Sequence, residues 1–374
     1  MPSVDRVLIV GGGVSGMALA ICLGRAGIAT DIAELSPKWG TYGAGLSLTA
    51  AGLRAFHRLG VLPRIEREGF CSDGTKICDP AGKVLFATPA TRQLGSAIPN
   101  GCGIMRPVLH VILSEATLAA GANVRVGLTV ETLENAKSGV RVTFSDGSHA
   151  KYDLVVGADG IGSRVRSLMF PDAPQPQFTG QGCWRAVATR PPEIDGVHVF
   201  LGGPVKVGFN PVSQSEMYMF VLQHMPDNPR MRQTDIHEPL AALLESFGGV
   251  VGRVRDQLGP HSRVVYRPLE KLLLPQPWYI GRCVLIGDAA HATTPHLASG
   301  AAIGVEDAIV LAEELQASDS AGSALARFMT RRFERCRLVV ENSALLGELE
   351  MKAAPIDQHA AVSRLSAVAL AQPF

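Results

Sequence analysis

Three short runs carry an apolar residue at every position: Val7–Val10, Leu154–Val156 and Cys283–Ile286. Uninterrupted apolarity over so few residues predicts strands covered on both faces, as in a parallel sheet flanked by helices. Between residues 178 and 266 the pattern changes to alternation. It predicts antiparallel strands at Cys183–Thr189, Val197–Leu201, Val205–Phe209 and Met217–Leu222, interrupted by one helix, Glu238–Phe247. Leu109, Ile112, Leu113 and Ala116 recur at helical spacing and predict a helix over Arg106–Leu118. Further helices are expected at Gly52–Leu59, Ala301–Leu315 and Ser323–Lys352, the last ending close to the end of the chain. Asn123–Val130 and Val140–Phe144 read as strands, with a turn at Ser145–Ser148. The prolines at 171, 174 and 176 mark a boundary. The fold class is therefore α/β, with a βαβ unit at the start, an antiparallel sheet in the middle and a helical end.

Composition narrows the functional classes. Of 374 residues, 47% are hydrophobic and 18% charged, which fits a folded enzyme and excludes a disordered chain. The formal net charge is +1 without a Lys/Arg block, so no nucleic-acid partner is expected. The seven cysteines are scattered without a CxxC, which points to reduced thiols, a cytoplasmic location and no metal. No run of about 18 apolar residues exists, so no membrane association is expected. Arg327–Arg337 reads as a solvated charged face.

Candidate chemistry sits at both ends of the chain. Val7–Val10 leads into Gly11, Gly13 and Gly16 at GxGxxG spacing, then into an Ala- and Leu-rich helix. Such glycines permit a tight turn, close approach to a pyrophosphate and close helix packing, and an acid about 20 residues later holds a ribose. Glu34 is that acid, with Asp31 as the alternative. At the other end, Asp288 follows the Cys283–Ile286 strand, where open α/β sheets place ligands. The loop Pro295–Gly300 then delivers main-chain N–H groups to an anion at a helix start. Midway lies Asp153-Leu-Val-Val-Gly157-Ala-Asp159-Gly160.

Taken together, these motifs resemble those of the aromatic-ring flavoprotein monooxygenases of the para-hydroxybenzoate hydroxylase type, from Val7 to about Leu315. Pro295–Ala301 is similar to the loop of the branch that hydroxylates pyridine acids, with Ser299 where that branch carries glutamine. Ser47 stands where some of its members place a histidine. The resemblance implies FAD as cofactor, NADH or NADPH as co-substrate, O2, and a small hydroxylated aromatic or heteroaromatic substrate attacked by a flavin C4a-hydroperoxide. It implies an FAD-binding Rossmann-like domain (1–72, 96–177, 267–320), an antiparallel-sheet substrate domain (73–95, 178–266) and a C-terminal helical segment (321–374). The chain is expected to be a monomer or homodimer.

FAD contacts implied are Gly11, Gly13, Val14, Ser15, Gly16, Glu34, Leu35, Gly45, Leu46, Arg106, Val130, Asp159, Asp288, Gly300 and Ala301. Pro295 is expected to wall the reactive edge of the flavin, or to be a structural turn proline. His296 and Tyr218 are the titratable candidates for taking a substrate proton, with Ser47 as a relay. Trp184, Arg185 and Phe209 are the substrate candidates. Trp184 and Arg185 point to opposite faces of a strand, and Trp184 is either pocket wall or core. Asp288 is a cofactor contact or a helix cap, Asp159 a cofactor contact or a turn cap, and His291 a structural histidine or a base. Another FAD oxidoreductase, of halogenase or oxidase type, and a non-catalytic FAD-binding protein are the alternatives. The three tryptophans lie too far apart for the halogenase Trp-x-Trp motif.

Overall fold

The computed structural model describes residues 3–41, 43–88, 92, 95, 97–228, 231 and 235–374. The three apolar runs lie side by side in one six-stranded sheet. Its order is Tyr279–Ile280, Cys283–Leu285, Leu154–Gly157, Arg6–Val10, Ala29–Glu34, Asn123–Val126, parallel except for the first strand. Val7, Ile9, Leu154, Val156 and Val284 have no exposed surface, as strands covered on both faces require. Helices Val14–Arg25 and Gly300–Ala317 pack against each other, which brings the two ends of the chain together.

The expected strand Asn123–Val130 is two strands in different sheets. Gly127, at φ 70°, turns the chain after Val126, and Val130–Ala136 starts a three-stranded sheet with Gly139–Phe144 and His149–Tyr152. The alternating region forms a seven-stranded sheet: Val264–Lys271, Gln177–Thr189, Glu216–His224, Lys206–Pro211, Val197–Phe200, Thr75–Cys78, Val84–Ala87. The single helix expected there is also two, His237–Leu243 and Gly249–Asp256, parted where Gly249 takes a positive φ of 54°. One face of this sheet packs Trp184, Val207, Phe209, Met219 and Val221 against Leu240, Phe247 and Val251. Each such side chain fully removed from water stabilises by roughly 1.5–3 kcal/mol. The other face looks toward a small sheet of Gly45–Thr49, Gly101–Met105 and Phe70–Ser72.

The chain end differs most from expectation. The long helix is Ala321–Met351, but a further helix, Ile356–Ala371, follows it. Arg54 and Arg335 donate to its last carbonyls, at Leu370 and Ala371 and at Ala369 and Leu370. Arg327–Arg337 is not a solvated face throughout. Arg332 has no exposed side chain and pairs with Glu306 and Asp307, while Arg335 pairs with Glu306. Two acids buried in helix Gly300–Ala317 impose that inward turn, because buried carboxylates require charged partners. No helix among the described residues is long and apolar enough to cross a membrane.

Candidate active site

The GxGxxG turn is steric in origin. A Cβ on Gly11, at φ 107°, would lie 2.4 Å from the Ala158 carbonyl oxygen, and one on Gly16 would lie 2.0 Å from that of Gly11. Gly13 faces open space and caps helix Val14–Arg25 without a side-chain hydrogen bond. The first N–H groups of that helix, at Val14, Ser15 and Gly16, therefore point to an open anion position. Glu34 closes the turn: Oε2 accepts from the Gly12 N–H at 2.7 Å and Oε1 from the Ser36 N–H at 2.7 Å. Each oxygen keeps capacity for a ribose hydroxyl. Asp31, the alternative, is engaged elsewhere, with Arg6 at 2.6 Å and Asn123 at 2.8 Å. Trp39, which no pattern singled out, donates from Nε1 to the Gly12 carbonyl at 3.0 Å. Leu35 is exposed at the rim, and the Val130 side chain is buried in the core.

Ser15 joins the two motifs. Its Oγ sits 2.3 Å from where a Cβ of Gly287 would be and 2.2 Å from where one of Gly304 would be. Asp288 opens the short helix Asp288–His291, with Gly287 at φ 59° before it. Asp288 and Arg106 are both exposed to solvent, with protein crowded around their charged groups. Enclosure pushes the Asp288 carboxyl up, against the pull of His291 and Arg106. It lowers Arg106, reinforced by Arg185 and opposed by Asp288 and Tyr218. Arg106 thus has Asp288, Arg185 and Tyr218 as charged or polar neighbours. Helix Gly300–Ala317 begins without a side-chain cap, because Ser299 Oγ donates to Leu297 instead; the Gly300 and Ala301 N–H groups are left free of one. Accessible charged groups, two uncapped helix starts and a carboxylate on the Gly turn fit an anionic dinucleotide.

Asp159 braces the start of helix Arg164–Met169, whose N-cap is Ser163. It accepts from Ser163 Oγ at 2.5 Å and from the N–H groups of Arg164 and Val165 at 2.7 and 3.1 Å. His291 is fully buried, with Nε2 2.5 Å from Asp307 Oδ2. Asp307 also accepts from the Gly287 N–H at 2.9 Å and Arg332 Nε at 2.7 Å. The fold thereby gathers His291, Asp307 and Cys336 within 4.8 Å, a cluster without sequence signature. The guanidinium of Arg332, which also reaches Cys336 Sγ at 3.4 Å, supplies the cation there.

On the face of the seven-stranded sheet that meets the small sheet, the Tyr218 hydroxyl lies 2.6 Å from Ser47 Oγ, and Asn210 Nδ2 donates to the same Oγ at 2.7 Å. Gly45 makes room for the tyrosine, since a Cβ there would lie 2.3 Å from its ring. Burial pushes the Tyr218 phenol up, against its bond to Ser47 and the charge of Arg185. Tyr218 is therefore a neutral hydroxyl, able to pass a proton on but not to act as the resting base.

Trp184 and Phe209 require correction as substrate contacts. Both belong to the helix-covered core, and Trp184 Nε1 donates to Gln223 at 2.8 Å. Cross-strand register puts Arg185 opposite Phe220, and Val187 and Asn210 opposite Tyr218, on the other face. His296 is turned neither to solvent nor to Tyr218. Its side chain is 1% exposed, Nδ1 meets Thr294 Oγ1 at 2.9 Å, and Nε2 lies 3.3 Å from Glu350 Oε2 without hydrogen-bond geometry. Glu350 also binds Lys206. Against burial, which would raise it, His296 and Lys206 hold its carboxyl down at about 2. Asn210, Lys206 and Glu350 were missed because nothing local marks them; they become neighbours of the site through strand register and a helix more than 100 residues away.

A family model described as "FAD binding domain" matches residues 5–343. The chain is 32% identical over 346 residues to the 2-heptyl-3-hydroxy-4(1H)-quinolone synthase of Pseudomonas aeruginosa, covering 92% of this chain and 89% of that one. It is 31% identical over 351 residues to the aurachin C monooxygenase/isomerase of Stigmatella aurantiaca, again covering 92% and 89%. A single-residue variant of Klebsiella pneumoniae HpxO, complexed with FAD, shares the fold, with a TM-score of 0.85 over 99% of each chain at 21% identity. The chain therefore belongs to the FAD binding domain family and is an FAD-dependent monooxygenase.

Proposed function

We propose that this monooxygenase hydroxylates a small heteroaromatic ring that carries an ionisable hydroxyl, using NADH or NADPH and O2. The observation that carries this reading is the Tyr218–Ser47–Asn210 group, three hydrogen-bonded side chains beside Arg185 and Arg106. The quinolone named for the 32% identical relative is itself a nitrogen heteroaromatic, which supports the same class here. FAD, when bound, takes electrons from the nicotinamide and activates oxygen. The remaining work belongs to the chain. The Gly11–Gly16 turn and its helix hold the pyrophosphate, Glu34 the ribose, and Asp288 and Arg106 the inner part of the cofactor. The Gly300 and Ala301 N–H groups would favour negative charge on a bound flavin. Pro295 stiffens the wall next to it. A substrate hydroxyl within reach of Tyr218 would pass its proton through the Tyr218 and Ser47 hydroxyls to water as the final acceptor, while Asn210 holds Ser47 in line.

The division into an FAD unit (1–72, 96–177, 267–320) and a substrate unit (73–95, 178–266), with a helical end, belongs to the same proposal. So do a cytoplasmic location and a monomeric or homodimeric state. The test is NAD(P)H consumption by the FAD-loaded protein against hydroxyquinolines, hydroxybenzoates and hydroxypyridine carboxylates. Mass spectrometry should find a product heavier by one oxygen, and the substrate should accelerate flavin reduction. Glu34→Ala should weaken FAD binding by about 1.5–3 kcal/mol, the worth of a charge-assisted hydrogen bond. Equal reduction rates with and without every ring tested, and no oxygenated product, would overturn the proposal.

A further inference from the structure

Cys71 and Cys102 are direct cross-strand partners in the small sheet that carries Ser47. Strand Phe70–Ser72 pairs antiparallel with Gly101–Met105 in the register Phe70 to Gly103, Cys71 to Cys102 and Ser72 to Gly101. Residues opposed in this way point to the same face, with Cα atoms about 4.5–5.5 Å apart. Disulfides span Cα separations of roughly 4.4–6.8 Å, so closure needs side-chain rotation and a slight drawing together of the strands. Both thiols are free. Cys102 is 3% exposed, while Cys71 is half-buried and open to a small solute. The neighbouring Cys71 thiol, together with burial, pushes the Cys102 thiol up. No other strand cysteine among the described residues faces a cysteine: Cys78 faces Val84 and Phe200, Cys183 faces Leu222 and Arg267, and Cys283 faces Val155 and Ile280.

We propose that Cys71 and Cys102 form a peroxide-responsive dithiol that closes to a cross-strand disulfide. Hydrogen peroxide oxidises the accessible Cys71 thiol to a sulfenic acid, and its O–O bond breaks with release of one water. Cys102 Sγ then attacks the Cys71 sulfur; the S–S bond forms, the S–O bond breaks, and the hydroxyl leaves with the Cys102 proton as a second water. Two thiols lose two electrons to one peroxide. That peroxide arises within this enzyme rests on the flavin reading, since an active site that fails to exclude side reactions wastes its reduced cofactor. The thiol chemistry does not rest on it.

The disulfide would act on the site through Gly103. This residue follows Cys102, lies opposite Ser47 and is so tightly packed that a Cβ would sit 1.9 Å from the Pro211 carbonyl oxygen and 2.7 Å from Asn210 Oδ1. Drawing its strand toward Phe70–Ser72 moves the surface on which Asn210 and Ser47 rest.

To test this, reduced, FAD-loaded protein freed of reductant is treated with hydrogen peroxide and mapped by non-reducing tryptic mass spectrometry. The expected result is a link between the peptides carrying Cys71 and Cys102, loss of two thiols out of seven, and reversal by dithiothreitol. Turnover should fall severalfold on oxidation and recover on reduction. Cys71→Ser should show neither the link nor the peroxide-sensitive turnover; it replaces the half-buried partner, so it keeps the test open should Cys102→Ser misfold. Seven intact thiols after treatment, or Cys71 driven to sulfinic acid without a link, would overturn the proposal. A link in a protein that oxidises no NAD(P)H with any ring tested would uphold the dithiol and sink the proposed hydroxylation instead.

Discussion

Tyr218 and Trp184 are aromatic residues on neighbouring strands of one sheet, and they point to opposite faces of it. Tyr218 shares its face with Arg185, Val187 and Asn210. Tyr218→Phe keeps the ring against Gly45 and deletes the hydroxyl that meets Ser47. Hydroxylation should fall by about 10²-fold, the low end of what a positioned proton-transfer group contributes. NAD(P)H oxidation should continue with electrons diverted to hydrogen peroxide, and FAD affinity should be unchanged. A variant with wild-type coupling would remove Tyr218 from the proton path. Trp184→Phe should do the reverse: lose roughly 1–3 kcal/mol through the unpaired Gln223 partner and the smaller ring, while turnover stays within twofold. Chemical denaturation alongside steady-state kinetics would separate the two. Motif and strand position single out Ser47, Arg185 and Tyr218 in the sequence, and the fold sets Ser47 against Tyr218 with Arg185 on the same face of the sheet. The correct face for Trp184 and Phe209 was not, since alternation defines two faces without saying which one meets the cofactor.

At the scale of elements, what was legible followed from covering on both faces. The apolar runs at Val7, Leu154 and Cys283 have no alternative to a central parallel strand, and they fell where expected. The breaks were harder, because Gly127 turns the chain after one strand and Gly249 starts a new helix, each through a positive φ that neither apolar pattern encodes. The final helix, Ile356–Ala371, was missed for a different reason: its apolar residues do not mark a single covered face, and Ile356, Leu365 and Val368 remain exposed. Element contact also explains the Gly304 position. Helices Val14–Arg25 and Gly300–Ala317 approach so closely that Ser15 Oγ occupies the space of a Gly304 side chain. Gly304→Ala should cost about 1–3 kcal/mol by overpacking and weaken FAD binding, because Ser15 belongs to the first turn of the cofactor helix. Adding Ser15→Gly to the same chain should recover much of both losses. Flavin fluorescence titration and thermal melts of the single and double variants check this; a double variant no better than Gly304→Ala would show that the strain lies elsewhere.

Across the whole molecule, the Gly287 turn is held to the long C-terminal helix by buried charge. Asp307 takes hydrogen bonds from the Gly287 N–H, His291 and Arg332, and Arg332 continues to Glu306. Removing one member of such a group costs roughly 3–5 kcal/mol, because its partners stay behind uncompensated. Its pH dependence has two limbs. Burial would raise the Asp307 carboxyl, but His291 and Arg332 hold it at about 2. A depressed carboxyl stabilises the fold above its unfolded value, near 4, and the stabilisation drains as pH falls toward 2; its size is about 2 kcal/mol. His291 is held well above its ordinary 6.5, with burial opposing and Cys336 and Asp307 prevailing. A raised histidine contributes fully below about 6.5 and loses that contribution as pH climbs through the folded value. Thermal stability should therefore be greatest between about pH 5 and 6.5 and decline on both sides. His291→Gln should flatten the alkaline limb and leave much of the acid limb, since Arg332 still depresses Asp307. Asp307→Asn should flatten both, because it removes the acid and the partner that raises His291. Melting temperatures of the three proteins from pH 3 to 9 decide the matter: an alkaline limb that persists unchanged in His291→Gln would mean that the charge tying the Gly287–Asp288 turn to the long helix does not titrate with His291.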